Sequence, residues 1–372
     1  MERLEVRPNE RLNVVIAVGG TGGHLFPAQS LAMEMLQKHP NIEITFMGAG
    51  LKSSDYFDGD LFEGIDIKSA TPMKKNPVKM LKALFSIFRG ILSCIKHLKR
   101  ISPHLIVGFG SFHAFPVLFA GKLNNISIMI IELNVFPGRV NRLCSKWAHL
   151  SCVQFSCAAK YLKGRTVCAH IPTLHARDHI TQERARRHFY LEPKTPTLLV
   201  FGGSQGARSI NYFFCKALKL LISQGLNLQV IHIVGSHAGE ESLRLFYEKQ
   251  SIIAYVKAFE ENMYYAWAAA DLNISRAGAA TLAELITFNV PSILIPYPYS
   301  TESHQSKNAA YVVDVIHGGA IIEERKLSAS ILAKMISDFL SSNKLALMRK
   351  ALSQFKEKEN RQDLCSLILE NM

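Results

Sequence analysis

Two apolar runs that end in glycines and lead into helical patterns constrain this chain more than any other feature. Val14-Val15-Ile16-Ala17-Val18 is followed by Gly19-Gly20-Thr21-Gly22-Gly23-His24, and Thr197-Leu198-Leu199-Val200-Phe201 by Gly202-Gly203-Ser204-Gln205-Gly206-Ala207-Arg208. A short apolar run bounded by glycine reads as a buried strand. A strand that enters a helix through glycines gathers backbone N–H groups and the positive helix end at one point, which suits phosphate. Two such units, about half the chain apart, predict two similar α/β domains. A length of 372 residues also exceeds what one core usually serves.

The intervening pattern supports this. Residues 42–47, 105–108 and 126–131 read as strands, and 27–35 as a helix with Pro27 near its first turn. The rhythm restarts near Thr197, with strands at 228–234, 272–275 and 292–295 and a helix at 279–288. Strand and helix in alternation predict parallel, doubly wound sheets. The segment from Arg165 to Arg177, with Pro172, is the expected connection.

Charge is unevenly placed. The net charge is +13, and no acidic residue occurs between Asp66 and Glu132, where ten lysines and arginines lie. Such a field favours an anionic partner. Within it, Pro72–Ser102 carries apolar residues at helical spacing with basic residues in the gaps. It reads either as a surface helix with a basic solvent face or as a helix lying on an anionic membrane. Nucleic acid is disfavoured, because stacking aromatics are not interleaved with the basic residues. Seven cysteines without Cys-x-x-Cys spacing, and a charged N-terminal stretch, point to a reducing cytoplasm. No run of 18 apolar residues predicts a membrane span.

The glycine turns are not nucleotide motifs of the common kinds. A dinucleotide fingerprint needs glycine at Leu25 and an acid after the second strand, where Met47-Gly48-Ala49-Gly50 stands. No Gly-Lys-Ser/Thr follows either turn, so a P-loop is excluded. His24 can act as a base at neutral pH or bond to the turn it ends. Ser204 and its neighbouring N–H groups can hold an anion, or form a tight turn without ligand. Ser275-Arg276-Ala277-Gly278-Ala279-Ala280-Thr281-Leu282-Ala283-Glu284 lets a helix start approach a diphosphate. Glu284, one turn in, can accept two ribose hydroxyls or offset the helix dipole. His304, Gln305 and Asn308 share a helix face and suit sugar hydroxyls, or water. Asp58-Gly59-Asp60 matches the metal-nucleotide Asp-x-Asp in outline but reads as a solvated loop.

Six motifs occur in a fixed order: residues 19–27, Gly108-Phe109-Gly110, Glu132-Leu133-Asn134 with Pro137-Gly138, residues 202–207, Ser275-Arg276-Ala277-Gly278-Ala279 and residues 304–309. As an ordered set, spanning about Leu12 to beyond Gly318, they resemble the MurG family of bacterial cell-wall glycosyltransferases. The resemblance implies a GT-B fold, two Rossmann-like domains facing a central cleft. It implies residues 1–170 as an acceptor- and membrane-facing domain, 171–350 as the UDP-GlcNAc-binding domain, and 351–372 as a helix returning to the first.

The implied reaction is inverting transfer of N-acetylglucosamine from UDP-GlcNAc to the C4 hydroxyl of MurNAc in lipid I, undecaprenyl-diphosphate-MurNAc-pentapeptide, giving lipid II for peptidoglycan. The implied place is the cytoplasmic face of the inner membrane, as a peripheral protein. His24 becomes the candidate base. Thr21, Gly22, Gly23 and Asn134 match positions facing the donor sugar, and Ser204 matches a diphosphate contact. Ala279, Ala280, Thr281, Leu282 and Ala283 match the nucleotide loop and helix start, Glu284 the ribose carboxylate and Gln305 a GlcNAc contact. No metal or other cofactor is expected, helix dipoles and N–H groups standing in for one. The chain departs from the family pattern at Ile131 and Leu133, at Leu174 where an arginine usually meets the diphosphate, and at Glu260 near the uracil position. Competing readings are another GT-B lipid transferase, a UDP-GlcNAc 2-epimerase, and a sugar-nucleotide-binding scaffold without turnover.

Overall fold

The computed structural model describes residues 11–20, 22–72, 76–172, 180–203, 206–359 and 361–372. The chain separates into two compact units, Met1–Thr173 with Asn360–Met372, and Leu174–Glu359.

The first unit runs β1 (Leu12–Ala17), α1 (Gly22–Lys38), β2 (Ile42–Gly48), β3 (Glu63–Asp66), α2 (Pro77–Ile101), β4 (Leu105–Gly108), α3 (Phe115–Leu123), β5 (Ser127–Glu132), α4 (Arg139–Cys144), β6 (Leu150–Val153) and β7 (Thr166–His170). Its sheet has the order β7-β6-β5-β4-β1-β2-β3, every neighbouring pair parallel. The continuous apolar runs of β1, β4 and β5 fit strands covered on both faces. Val15, Ala17, Ile106, Ile128 and Ile130 meet Cys94 and Leu98 of α2 and Val117 and Leu118 of α3 in one core.

Helix α1 begins at Gly22, five residues before the proline expected near its first turn, so Pro27 lies inside the helix, where it forgoes the bond to the Gly23 carbonyl. Gly22, Gly23 and His24 are thus the first turn of the helix itself.

Helix α2 is capped at Asn76, whose side chain accepts from the N–H groups of Val78 and Lys79. Ala83, Ile87, Gly90, Cys94 and Leu98 form its buried stripe. A second apolar face remains: Val78, Leu81, Phe85, Phe88 and Leu92 are each 47–64% exposed. Residues 73–75 of this basic segment lie outside the described residues. Among the described residues no helix is long and apolar enough to cross a membrane.

The second unit runs α5 (Gln182–His188), β8 (Thr197–Phe201), α6 (Arg208–Ser223), β9 (Gln229–Ile233), α7 (His237–Lys249), β10 (Ala254–Lys257), α8 (Met263–Ala269), β11 (Leu272–Ser275), α9 (Ala279–Thr287), β12 (Ser292–Leu294), α10 (His304–Ala310), β13 (Gly319–Ile321), α11 (Ala329–Leu340) and α12 (Lys344–Lys358). Its sheet order is β10-β9-β8-β11-β12-β13, again all parallel. Leu198, Val200, Val230 and Ile274 pack with Phe214, Leu218 and Leu221 of α6 and with Ile336 of α11. Buried Arg186 ties α5 to the sheet through Asp271, the Ala269 carbonyl and the Pro193 carbonyl.

The chain ends in the first unit. There β14 (Gln362–Asp363) pairs with β7, and α13 (Leu364–Glu370) buries Leu364, Cys365, Leu367 and Ile368. Asp363 caps α13 and pairs with Lys38 of α1 at 3.1 Å. All seven cysteines are free.

Candidate functional site

Each sheet reverses its strand order once beside its first strand: between β1 and β4 in the first unit, and between β8 and β11 in the second. In open parallel sheets ligands gather outside the carboxyl ends of the strands at such a point. The two glycine turns leave the first strand of each reversal.

In the first unit the β1 exit is packed against the β2 exit. The N–H of Gly20 donates to the Ala49 carbonyl at 3.1 Å, and a Cβ on Gly20 would lie 2.0 Å from the Gly50 oxygen. Only glycine allows that approach. Gly23 is different: a Cβ there would meet nothing within 4 Å, so the turn is open on that side. Gly22 is buried, and His24, third residue of α1, is half-buried. Thr21 lies outside the described residues.

The loop after β4 lies alongside. Gly110 and Ser111 both take left-handed backbone, with φ of 76° and 70°. The buried Ser111 hydroxyl has no hydrogen-bond partner among the described residues. A Cβ on Gly19 would lie 3.1 Å from both Ser111 Oγ and His113 Nδ1. Burial holds the His113 pKa below its usual value, so its imidazole is neutral at physiological pH. Neither Ser111 nor His113 belongs to a motif; the Gly108-Phe109-Gly110 motif just before them is the sequence signal nearest to them.

Asn134 follows β5, the next strand over. It is set by Glu132, which is only 3% exposed. One Glu132 oxygen accepts from the Asn134 backbone N–H at 2.9 Å and from Asn134 Nδ2 at 3.0 Å. The other accepts from the Gly138 N–H at 2.9 Å and Asn141 Nδ2 at 2.8 Å. A buried carboxylate whose two oxygens meet four donors is satisfied in place and fixes its loop. Leu133, between Glu132 and Asn134, is buried.

In the second unit Gly203, with φ of 85°, turns the β8 exit, and the Gly206 N–H closes the turn on the Gly203 carbonyl at 2.9 Å. Ser204 and Gln205 lie outside the described residues, as do Leu174, His175 and Arg177. Arg208 opens α6 and is exposed. After β11 the chain enters α9 through Gly278, with no side-chain cap on the helix. That leaves the first-turn N–H groups, at Ala279, Ala280 and Thr281, without intrahelical partners. Thr281, Leu282 and Ala283 are buried, and Leu282 wholly so.

Glu284 accepts from Trp267 Nε1 at 2.9 Å. Burial pushes its pKa up to about 7, against the stabilising indole bond. Gln305 Oε1 accepts from the Tyr297 N–H at 2.8 Å, which joins α10 to the β12 exit. Asn308, fully buried, donates to the Ala277 carbonyl at 3.1 Å. These loops are braced by Arg276, whose two terminal nitrogens reach the two Glu324 oxygens at 2.7 and 2.9 Å. Arg276 also bonds to the Ile295 carbonyl and to Ser209 of α6. Burial alone would raise the Glu324 pKa; the bonds from Arg276 and Ser209 outweigh it and hold the carboxyl below its usual range.

Two other sequence features resolve into structure. Glu260 is buried, accepting from the Tyr255 hydroxyl at 2.7 Å and the Asn262 N–H at 2.8 Å. Asp58 and Asp60 are exposed, and Asp58 accepts from the N–H groups of Asp60 and Leu61 in a turn.

The comparisons agree with this architecture. Residues 14–151 match the glycosyltransferase family 28 N-terminal domain and residues 197–364 the glycosyltransferase family 28 C-terminal domain. A protein of Protochlamydia amoebophila named UDP-N-acetylglucosamine--N-acetylmuramyl-(pentapeptide) pyrophosphoryl-undecaprenol N-acetylglucosamine transferase is 39% identical over 360 residues, 96% of this chain and 95% of its own. The same-named protein of Chlamydia pneumoniae is 35% identical, over 96% of this chain and 98% of its own. Among solved structures, Acinetobacter baumannii MurG matches with a TM-score of 0.71 at 23% identity, covering 97% of this chain and 98% of that one. The shared fold is GT-B, with two parallel-sheet α/β domains.

Proposed function

The chain belongs to glycosyltransferase family 28, and on that premise we propose that it transfers N-acetylglucosamine from UDP-GlcNAc to the C4 hydroxyl of MurNAc in lipid I, with inversion, to give lipid II. The observation that carries the reading is the pair of strand-reversal sites, each with a chemistry the other lacks. The first holds a histidine on a helix first turn beside an open glycine. The second holds an uncapped helix start followed by a carboxylate.

In this reading the second unit takes the donor. The N–H groups at the starts of α6 and α9 meet the diphosphate, Ser204 adding its hydroxyl, and Glu284 accepts the ribose hydroxyls. Gln305 meets the GlcNAc. As the bond to UDP breaks, one further negative charge develops on its diphosphate, and fixed N–H dipoles stabilise it without rearranging. The first unit takes the acceptor. His24 receives the C4 proton as that oxygen attacks the anomeric carbon and the bond to UDP breaks. Thr21, Gly22, Gly23 and Asn134 position the transferring sugar.

The acceptor is a bilayer lipid, and α2 supplies the means of reaching it. Its exposed apolar face, flanked by Lys79, Lys82 and Arg89, suits the anionic surface of the inner membrane's cytoplasmic face. Nucleic acid is not a partner in this reading.

The test is a transfer assay with UDP-GlcNAc and a defined lipid I analogue. Formation of the disaccharide product is expected. UDP-ManNAc formed without acceptor would replace the reading with an epimerase, and UDP-GlcNAc binding without transfer would replace it with a scaffold.

A further inference from the structure

Trp267 belongs to none of the motifs above, yet it touches two of the elements that build the donor site. It is 1% exposed on α8. Its indole N–H donates to Glu284 Oε2 at 2.9 Å. Its ring meets Phe201, the last residue of β8 before Gly202-Gly203, edge to face with centroids 5.6 Å apart. Glu284 Oε1 carries no hydrogen bond among the described residues.

We propose that Trp267 is a positioning residue for nucleotide recognition, fixing the Glu284 carboxylate by its indole N–H so that the carboxylate can accept the vicinal hydroxyls of the donor ribose. The inference rests on the assignment of Glu284 to the ribose.

The argument is one of geometry and ionisation. A vicinal diol is held well by a carboxylate only if both oxygens keep one orientation, and a free glutamate side chain has three torsions to lose. The indole is a donor and nothing else, so its bond favours the carboxylate over the neutral acid, opposing the larger effect of burial. Buried tryptophan, with two torsions, is a stiff support. Phe201 packs edge to face on the ring, and so links Glu284 to the turn proposed for the diphosphate.

Trp267→Phe keeps most of the ring volume and deletes the N–H. Binding of UDP and of 2′-deoxy-UDP is measured by calorimetry on the wild type, Glu284→Gln and Trp267→Phe. Hydroxyl bonds to a charged acceptor predict that the wild type prefers UDP by about tenfold or more. Trp267→Phe is expected to lose most of that preference while kcat at saturating donor stays within about threefold. A general loss of structure would weaken both ligands alike. If the wild type does not distinguish the two ligands, the ribose assignment falls and the inference with it. If Glu284→Gln loses the preference and Trp267→Phe keeps it, the inference alone falls. A second measurement needs no change at the site. The chain has two tryptophans, so Trp147→Phe, in the first unit, leaves Trp267 as sole reporter. Its emission should shift on UDP binding; binding without a shift overturns the inference.

Discussion

At the scale of single residues, His24 is the third residue of α1, half-buried beside the open Gly23. If it serves the acceptor, His24→Ala should lower kcat by roughly 10² to 10⁴, as for other acid–base groups. UDP affinity by calorimetry should be unchanged, since the residues proposed to hold UDP lie in the other unit. Equal losses in both would assign His24 to structure instead. Glu284 predicts a pH dependence. Its carboxyl, raised from 4.5 to about 7, is mostly protonated at pH 6 and then offers one acceptor fewer to a diol. The KM for UDP-GlcNAc should rise as pH falls through about 7 and level off above 8, and the Glu284→Gln profile should be flat there. The effect on stability has the opposite sign. The folded state keeps a proton that the unfolded chain releases between pH 4.5 and about 7. This contribution is therefore full below 4.5 and lost as pH rises through about 7. Thermal unfolding of the ligand-free protein across that window measures it. His24 and Glu284 are candidates that the sequence offers by itself, because each stands within two turns of a helix start that a glycine leads into. Trp267 was not, because it bonds to a residue 17 positions away and follows no motif.

At the scale of elements, legibility followed burial. Strands β4, β8 and β11 are buried throughout, β1 from Val14 on and β5 from Ile128 on, and their apolar runs stand out from the sequence. Strand β3, Glu63-Gly64-Ile65-Asp66, sits at the sheet edge with two charges and no apolar run. It is held by pairing with β2 and by its position in the chain, not by its composition. Helix α2 shows the reverse. Its 25 residues read plainly as a helix, but composition alone could not say which of two apolar faces would be covered. Packing on α3 and the sheet covers one and leaves Leu81, Phe85 and Phe88 outward. Leu81→Glu with Phe85→Glu should reduce sedimentation with anionic vesicles by about tenfold or more, each side chain forfeiting roughly 1.5–3 kcal/mol of burial. Transfer to a water-soluble acceptor analogue should be unaffected. Binding by the wild type should weaken as salt is raised, because lysine and arginine contribute through a screened field. Binding indifferent to lipid charge would return α2 to an ordinary surface helix.

At the scale of the whole molecule, the chain builds one plan twice: a parallel sheet that reverses strand order beside its first strand, with a glycine turn leaving that strand. The sequence by itself determined the alternation of strand and helix, the two glycine turns and the ordered motifs that mark the family. Those signals survive in one dimension because each depends on residues a few positions apart, through strand burial, helix periodicity and turn geometry. Which side chains meet depends on the packed fold. Arg276 finds Glu324 across 48 residues and braces three loops at one sheet edge. Glu132 gathers Asn134, Gly138 and Asn141 around a buried carboxylate. Trp267 orients Glu284 while resting on the β8 exit. The physical reason is common to all three. A buried charge or indole N–H must be satisfied, and the partner is whichever group the packed strands bring within 3 Å or so. Strand order sets that choice, and no local pattern in the chain encodes it.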